Sequence, residues 1–339
     1  MINNVRKFLR IALDYRQLIG SYASLALILS IKFDLAYYRF FILNHAHEKK
    51  LVIIGGGWHV KYQILPILRK IFGGEIFIVR KNQKQDLIKL FGIKYISHKN
   101  ALKLDKNTTK IIIATKPELQ CQFLISFLQA GFETYCEKPF FTNGDDYDVV
   151  SKVIDTCHSR FWSGMNRRHS KSFRQLFSNI NNEISSFVQI INFGVPESDS
   201  LKANTNPLIT LAIHAVDHAL EFVANNEENY ELTTTQTKGS ASCKVLFENG
   251  YWFEVILLID GDRECGWKDE ILVTGRGKSL RLIDYKYLYE RRGFRRYLRD
   301  NYGLEKSFCH FLNAEKKISN TRVKDQFLLR ITKEILDSK

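Results

Sequence analysis

The chain has 339 residues, 45% apolar and 25% charged, with a formal net charge of +14. That balance excludes a disordered, collagen-like or disulfide-stapled chain, and the length suffices for two or three domains with ordinary cores. The six cysteines, at 121, 136, 157, 243, 265 and 309, form no CxxC pair, so zinc-ribbon and thioredoxin-like readings fall away and a reducing, cytoplasmic setting is expected.

The first 50 residues hold eight basic residues against three acidic. Leu18 to Ile31 is an uncharged run of 14, shorter than the roughly 20 residues a bilayer span needs. No small-residue cleavage site follows it. Residues 1–48 are expected to form a helical extension docked on the body, with peripheral membrane contact the less favoured alternative.

Leu51-Val52-Ile53-Ile54 is a short apolar run, as a buried parallel strand should be, and Gly55-Gly56-Gly57 follows at once. Ile64 to Ile71 has helical spacing, and Ile76 to Val79 reads as a second strand. A short helix over Leu87–Phe91 and a weak strand at 94–96 come next. Ile111–Ala114, Thr134–Cys136 and Phe161–Met165 read as strands, separated by helices at 120–130 and 145–157. Such alternation predicts a doubly wound parallel sheet over residues 49–166.

Residues 167–339 predict an α+β domain with a large open antiparallel sheet. A helix is expected at 171–180, a strand at 187–193 and one helix from Pro207 to Val223. Strands follow near 230–237, 241–247, 251–260, 270–274 and 279–283, with Asn249-Gly250 as a hairpin turn. Helices near 304–316 and 322–337 close the chain. Arg276 to Arg299 carries nine basic residues against Asp284 and Glu290, a stretch suited to an anionic substrate group or to a solvated face. No RNP, zinc-finger or helix-turn-helix pattern points to nucleic acid.

Glycines between a buried strand and a helix let the backbone approach a pyrophosphate, and the helix start supplies N–H donors. Gly55, Gly57, Trp58, His59 and Val60 are therefore expected to bind a dinucleotide, although Val60 stands where a third glycine is usual. Strand two ends in Arg80-Lys81 rather than the carboxylate that bonds a ribose 2′-hydroxyl, which favours NADP over NAD. Thr115 and Pro117, then Glu137 and Lys138, lie just past strand ends, where the ligand of an open α/β sheet sits. A lysine there can polarise an oxygen that gains charge during hydride exchange. Thr210, His214, Asp217 and His218 are spaced to share one helical face, and a histidine suits proton exchange with a hydroxyl. No third ligand accompanies His214 and His218, so no metal is expected.

The stretches IIGGGWHVKYQILPIL at 53–68, IIIATKPELQCQFLISFLQAGFETYCEKPF at 111–140, GMNRR at 164–168 and PLITLAIHAVDHALEF at 207–222 together resemble the Gfo/Idh/MocA oxidoreductases. The resemblance implies a Rossmann domain, a second domain whose open sheet often forms an oligomer interface, a nicotinamide cofactor and chemistry at a sugar or polyol carbon. It puts the family's catalytic lysine at Lys138 and its catalytic histidine at His214. An aspartate frequent in the family is replaced by Thr210, a histidine by Gln120, and an acidic residue by Arg80. Asp217 is then the candidate to take over the lost charge. These departures also leave room for a catalytically impaired dinucleotide-bound sensor, and an imine reductase shares the same scaffold.

Overall fold

A computed structural model describes residues 49–80, 93–156, 161–180, 184–193, 207–210, 212–223, 229–237, 239–258, 267–275, 278–285, 287–290, 293–296, 303–313 and 319–338. The expected N-terminal helices, the helix at 87–91 and Lys81 lie outside the described residues.

Strands β1 (Lys50–Ile54), β2 (Glu75–Val79), β3 (Lys94–Tyr95), β4 (Thr109–Ile113), β5 (Glu133–Cys136) and β6 (Phe161–Ser163) form one sheet in the order β3-β2-β1-β4-β5-β6. Every pairing in it is parallel. This is the doubly wound order that reverses between β1 and β4, where dinucleotides bind. Alternation along β1 and β4 explains why both faces are covered. Val52, Ile54, Ile111 and Ile113 pack with Leu124 and Phe127 of α3 (Pro117–Gln129) and Val150 and Val153 of α4 (Gly144–Thr156). Leu51, Ile53 and Ile112 pack on the other face with Leu65 and Leu68 of α1 (Leu65–Ile71). Phe308 and Phe311 of α8 (Leu304–Asn313) join this second layer, so a late segment of the chain covers the first sheet.

A short α2 (His98–Ala101) precedes β4, and α5 (Lys171–Ile180) leads into the second sheet. That sheet contains β7 (Ile184–Phe193), β8 (Tyr230–Gln236), β9 (Ser240–Phe247), β10 (Trp252–Leu258), β11 (Trp267–Gly275), β12 (Lys278–Ile283), β13 (Tyr287–Glu290) and β14 (Gly293–Arg296). Their order is β14-β13-β12-β11-β7-β10-β9-β8, antiparallel except where β10 meets β7. Gly250, at φ +82°, makes the expected turn between β9 and β10, and the Asn249 side chain accepts from Tyr251 N at 2.7 Å. Strands β13 and β14 are not among the expected elements: each is only four residues long, and they lie within the basic 276–299 stretch, separated by Arg291-Arg292.

The single helix expected over 207–223 is two, α6 (Pro207–Thr210) and α7 (Ile213–Leu220). Ala212 separates them at φ −98° and ψ −3°, the sparsely populated bridge region where a helix is easily interrupted. Thr210 therefore precedes the break, and only His214, Asp217 and His218 share α7. The final helix, α9 (Ser319–Asp337), buries Leu328, Ile331 and Ile335 in the larger core. Among the described residues no helix is long and apolar enough to cross a membrane.

Candidate active site

The carboxyl ends of β1, β2 and β4 meet at the glycine turn. Gly55 has φ +129°, and a Cβ there would lie 2.2 Å from the Ala114 carbonyl oxygen, so only glycine fits. A Cβ on Gly56 would meet Arg80 Cδ at 2.9 Å, so the Arg80 side chain lies across the turn. Beside Gly57, by contrast, a Cβ would find open space. The chain then enters a π-helical turn over Val60–Ile64, a form frequent at functional sites. Val60 is buried, while Trp58 is 52% exposed and tilts toward Tyr62 at 5.7 Å. This open cradle, the helix start and a guanidinium beside it fit a dinucleotide pyrophosphate and ribose.

His59 Nε2 lies 3.5 Å from Glu137 Oε1, linking the glycine turn to the loop after β5. Burial pulls the His59 pKa down, but Glu137 outweighs it and leaves it above 6.5. Pro117 opens α3 at the first helical position, where its missing N–H costs nothing. Buried Gln120 donates to Thr115 O at 3.3 Å and accepts from Cys136 Sγ at 3.4 Å, fixing the Thr115 turn to the end of β5.

Glu137 N donates to Ile113 O at 2.8 Å, which carries the strand pairing to the doorstep of Lys138. The Lys138–Pro139 peptide is cis. Gly164 passes so close that a Cβ would lie 2.8 Å from Glu137 Cα. Desolvation, with the Arg167 charge assisting and Glu137 opposing, lowers the Lys138 ammonium to about 8. His214 is buried, and its Nδ1 finds no hydrogen-bond partner among the described residues. Desolvation first, then the charges of Arg167 and Lys138, hold its pKa well below 6.5, so the imidazole is neutral. Lys138, Arg167 and His214 thus share one electrostatic site.

Asp217, expected among the reacting groups, is committed elsewhere. Arg168 Nε donates to its Oδ2 at 3.0 Å, and Arg168 Nη2 donates to its Oδ1. The same Nη2 reaches Asp325 Oδ1 at 3.1 Å, and Ser163 Oγ donates to that oxygen at 2.7 Å. Glu221 Oε1 stands 3.9 Å from Arg168 Nη1. This cluster joins the turn after β6 to α7 and α9. Its neighbour Arg167 turns toward the second sheet and donates to Asp269 Oδ2 at 3.0 Å. Sequence reasoning noticed GMNRR only as part of a resemblance and missed Asp269 and Asp325, which lie 102 and 157 residues from their arginine partners.

A glycine turn at the switch point of a 3-2-1-4-5-6 parallel sheet is the arrangement of a dinucleotide-binding Rossmann domain. Residues 49–165 match the sequence profile of the Gfo/Idh/MocA family, an oxidoreductase family with an NAD-binding Rossmann fold. The chain is similar in fold to a Gfo/Idh/MocA family oxidoreductase from Vibrio cholerae, at TM-score 0.70 and 14% identity over 85% of this chain and 97% of that one. It is similar to the dehydrogenase MviM from Clostridium difficile, at TM-score 0.67 and 18% identity over 86% and 99%. A third similar structure is GenD2 of gentamicin A biosynthesis, solved in complex with NAD, at TM-score 0.68 and 15% identity over 86% and 93%. No curated protein sequence matches significantly. Residues 49–165 therefore match the NAD-binding Rossmann domain of that family, and the chain shares the two-domain fold of those structures.

Proposed function

We propose that the protein exchanges hydride between a nicotinamide cofactor and a hydroxyl or carbonyl carbon of a sugar or sugar derivative. The observation that supports this reading is Lys138 just past the carboxyl end of β5, together with a buried His214 whose Nδ1 has no hydrogen-bond partner among the described residues and whose surroundings include the Lys138 charge. The cofactor, held by the Gly55–Val60 turn, Arg80, Thr115 and Glu137, supplies or takes up the hydride when bound. The Lys138 ammonium donates to the reacting oxygen and stabilises the negative charge that grows there. His214 takes the hydroxyl proton during oxidation and returns it during reduction. Asp217 holds Arg168 and exchanges no proton with substrate. The test is NADP(H)- and NAD(H)-linked turnover of a panel of sugars, sugar acids and nucleotide sugars by the full chain. Cofactor binding with no turnover of any of them would favour a sensor instead.

NADP is the favoured cofactor because Arg80 lies across Gly56, where a guanidinium can pair with a 2′-phosphate. Arg80→Ala is expected to weaken NADPH about tenfold to a hundredfold and to leave NADH nearly unchanged, as read by fluorescence titration. Equal losses for both cofactors would remove the 2′-phosphate contact.

The outer face of the second sheet is proposed as a homo-oligomer interface. Leu246, Leu258, Leu272 and Tyr289 are exposed there, and one lateral row runs Tyr289, Arg281, Leu272, Val188, Glu254, Lys244. Leu258→Glu with Leu272→Glu should lower the mass measured by light scattering to that of one chain. A wild-type protein already at that mass would remove the interface.

A further inference from the structure

A chain of polar groups lies buried between the second sheet and the turn after β6. Gln189 Nε2 donates to Asp269 Oδ1 at 3.1 Å, and Gln189 Oε1 meets His218 Nδ1 at 3.1 Å. Tyr285 Oη stands 3.4 Å from the same nitrogen. Gln189, His218, Asp269 and Tyr285 are all buried. Interior polar groups are costly unless each is satisfied, so a chain of four calls for a purpose.

The chain converges on Arg167. Asp269 binds its Nη1, and its guanidinium lies 5.6 Å from the centre of the Tyr285 ring. The Tyr285 ring is delivered by an unusual turn. Asp284 and Tyr285 have φ of +50° and +55°, two successive left-handed residues without a glycine. Asp284 N donates to Asp269 O at 2.7 Å, and Asp269 N donates to Asp284 Oδ1 at 3.0 Å, which locks that turn to Asp269. Strain of this kind persists where surrounding contacts over-determine it, commonly at ligand sites.

Arg167 differs from its neighbour. Arg168 is enclosed by Asp217, Asp325 and Glu221, whereas Arg167 is held from the side of the second sheet, by Asp269 and Tyr285. The Arg167 side chain keeps 12% of its surface exposed, against 2% for Asp269. It lies in the 3-10 turn Asn166–His169 that follows β6, past the carboxyl edge of the sheet, and its charge acts on both Lys138 and His214. A rigid, partly desolvated guanidinium is matched in shape and charge to a planar oxyanion.

We infer that Arg167, fixed by Asp269 and Tyr285, anchors an anionic group of the substrate, a carboxylate or a phosphate, beside Lys138. The inference rests on the proposed reaction for its location and names the substrate class: an acidic sugar rather than a neutral one.

The test is calorimetric titration of the full chain, saturated with its preferred oxidised cofactor, with D-glucuronate, D-glucose 6-phosphate and D-glucose. At least one of the two acids should bind about tenfold or more tighter than D-glucose, and which one does separates carboxylate from phosphate. Arg167→Met should abolish that preference and leave cofactor binding unchanged. If Arg167→Met does not fold, Arg167→Lys decides, because it keeps the charge but loses the fork. It should weaken the favoured acid by about threefold or more and leave D-glucose unmoved. D-glucose binding as tightly as both acids, binding of neither acid, or a preference that survives in the folded variants would overturn the inference. Binding is read without turnover, so absence of hydride transfer counts against the reaction and not against the anchor.

Discussion

Replacing Arg168 by methionine is expected to destabilise the protein by about 3–5 kcal/mol, the cost of removing one partner of a buried ionic cluster. The guanidinium holds Asp217 through two nitrogens and Asp325 through one of them, with Glu221 alongside. Without it these carboxylates face one another, and Arg174, 3.3 Å from Glu221, offsets only that one carboxylate by direct contact among the described residues. The same change unties the turn after β6 from α7 and α9, so Arg167 and His214 lose their common support. Urea unfolding at constant m-value measures the loss, and a change below about 1 kcal/mol would sink this account.

The cluster also predicts an asymmetry. Desolvation, against the pull of Arg168 and with help from Glu221 and Asp325, raises Asp217 from 3.8 to about 7, and Asp325 is raised as well. A carboxyl with a raised folded pKa keeps its proton in the fold after the unfolded chain has lost it. Its contribution to stability therefore falls as pH rises from 3.8 to about 7. Asp325→Asn should be much milder than Arg168→Met, because the amide oxygen can still accept from Arg168 and Ser163. It should also flatten the fall of stability with pH across that window.

The sequence made the first domain legible because both faces of its strands are buried and the connections are short. Leu51–Ile54 and Ile111–Ile113 have no other reasonable reading, and Gly55 and Thr115 follow from where those strands end, as Lys138 follows from the end of β5. The second domain was legible wherever apolar residues alternate, as at Val245, Phe247, Phe253 and Val255. It failed where three-dimensional pairing decides the role. Asp217 shares a helical face with His214 and reads as the carboxylate that takes over the charge lost at Thr210, yet Arg168, 49 residues earlier, holds both its oxygens. The break at Ala212 has no glycine or proline to announce it. Nothing in a stretch as basic as 276–299 suggests that Tyr285 is buried under a guanidinium.

Lys138→Met is the variant that separates catalysis from architecture. Loss of the donor to the reacting oxygen should lower hydride transfer by about 10²–10⁴-fold, with the cofactor dissociation constant unchanged. The wild-type rate should fall as pH rises through about 8, where Lys138 gives up its proton. Arg167 helps set that limb, and Arg167→Met should move it upward, since removing a neighbouring positive charge favours the ammonium. Stability should respond in the opposite sense to activity. A lysine whose folded pKa lies below its unfolded 10.5 penalises the fold fully below about pH 8, and the penalty is relieved as pH rises to 10.5. Lys138→Met removes that penalty, so the variant should melt no lower than wild type at pH 7, and the two should converge at high pH. A residue that merely supported the fold would show the reverse: a lower melting temperature, a rate loss explained by unfolding, and a pH limb that stays in the variant.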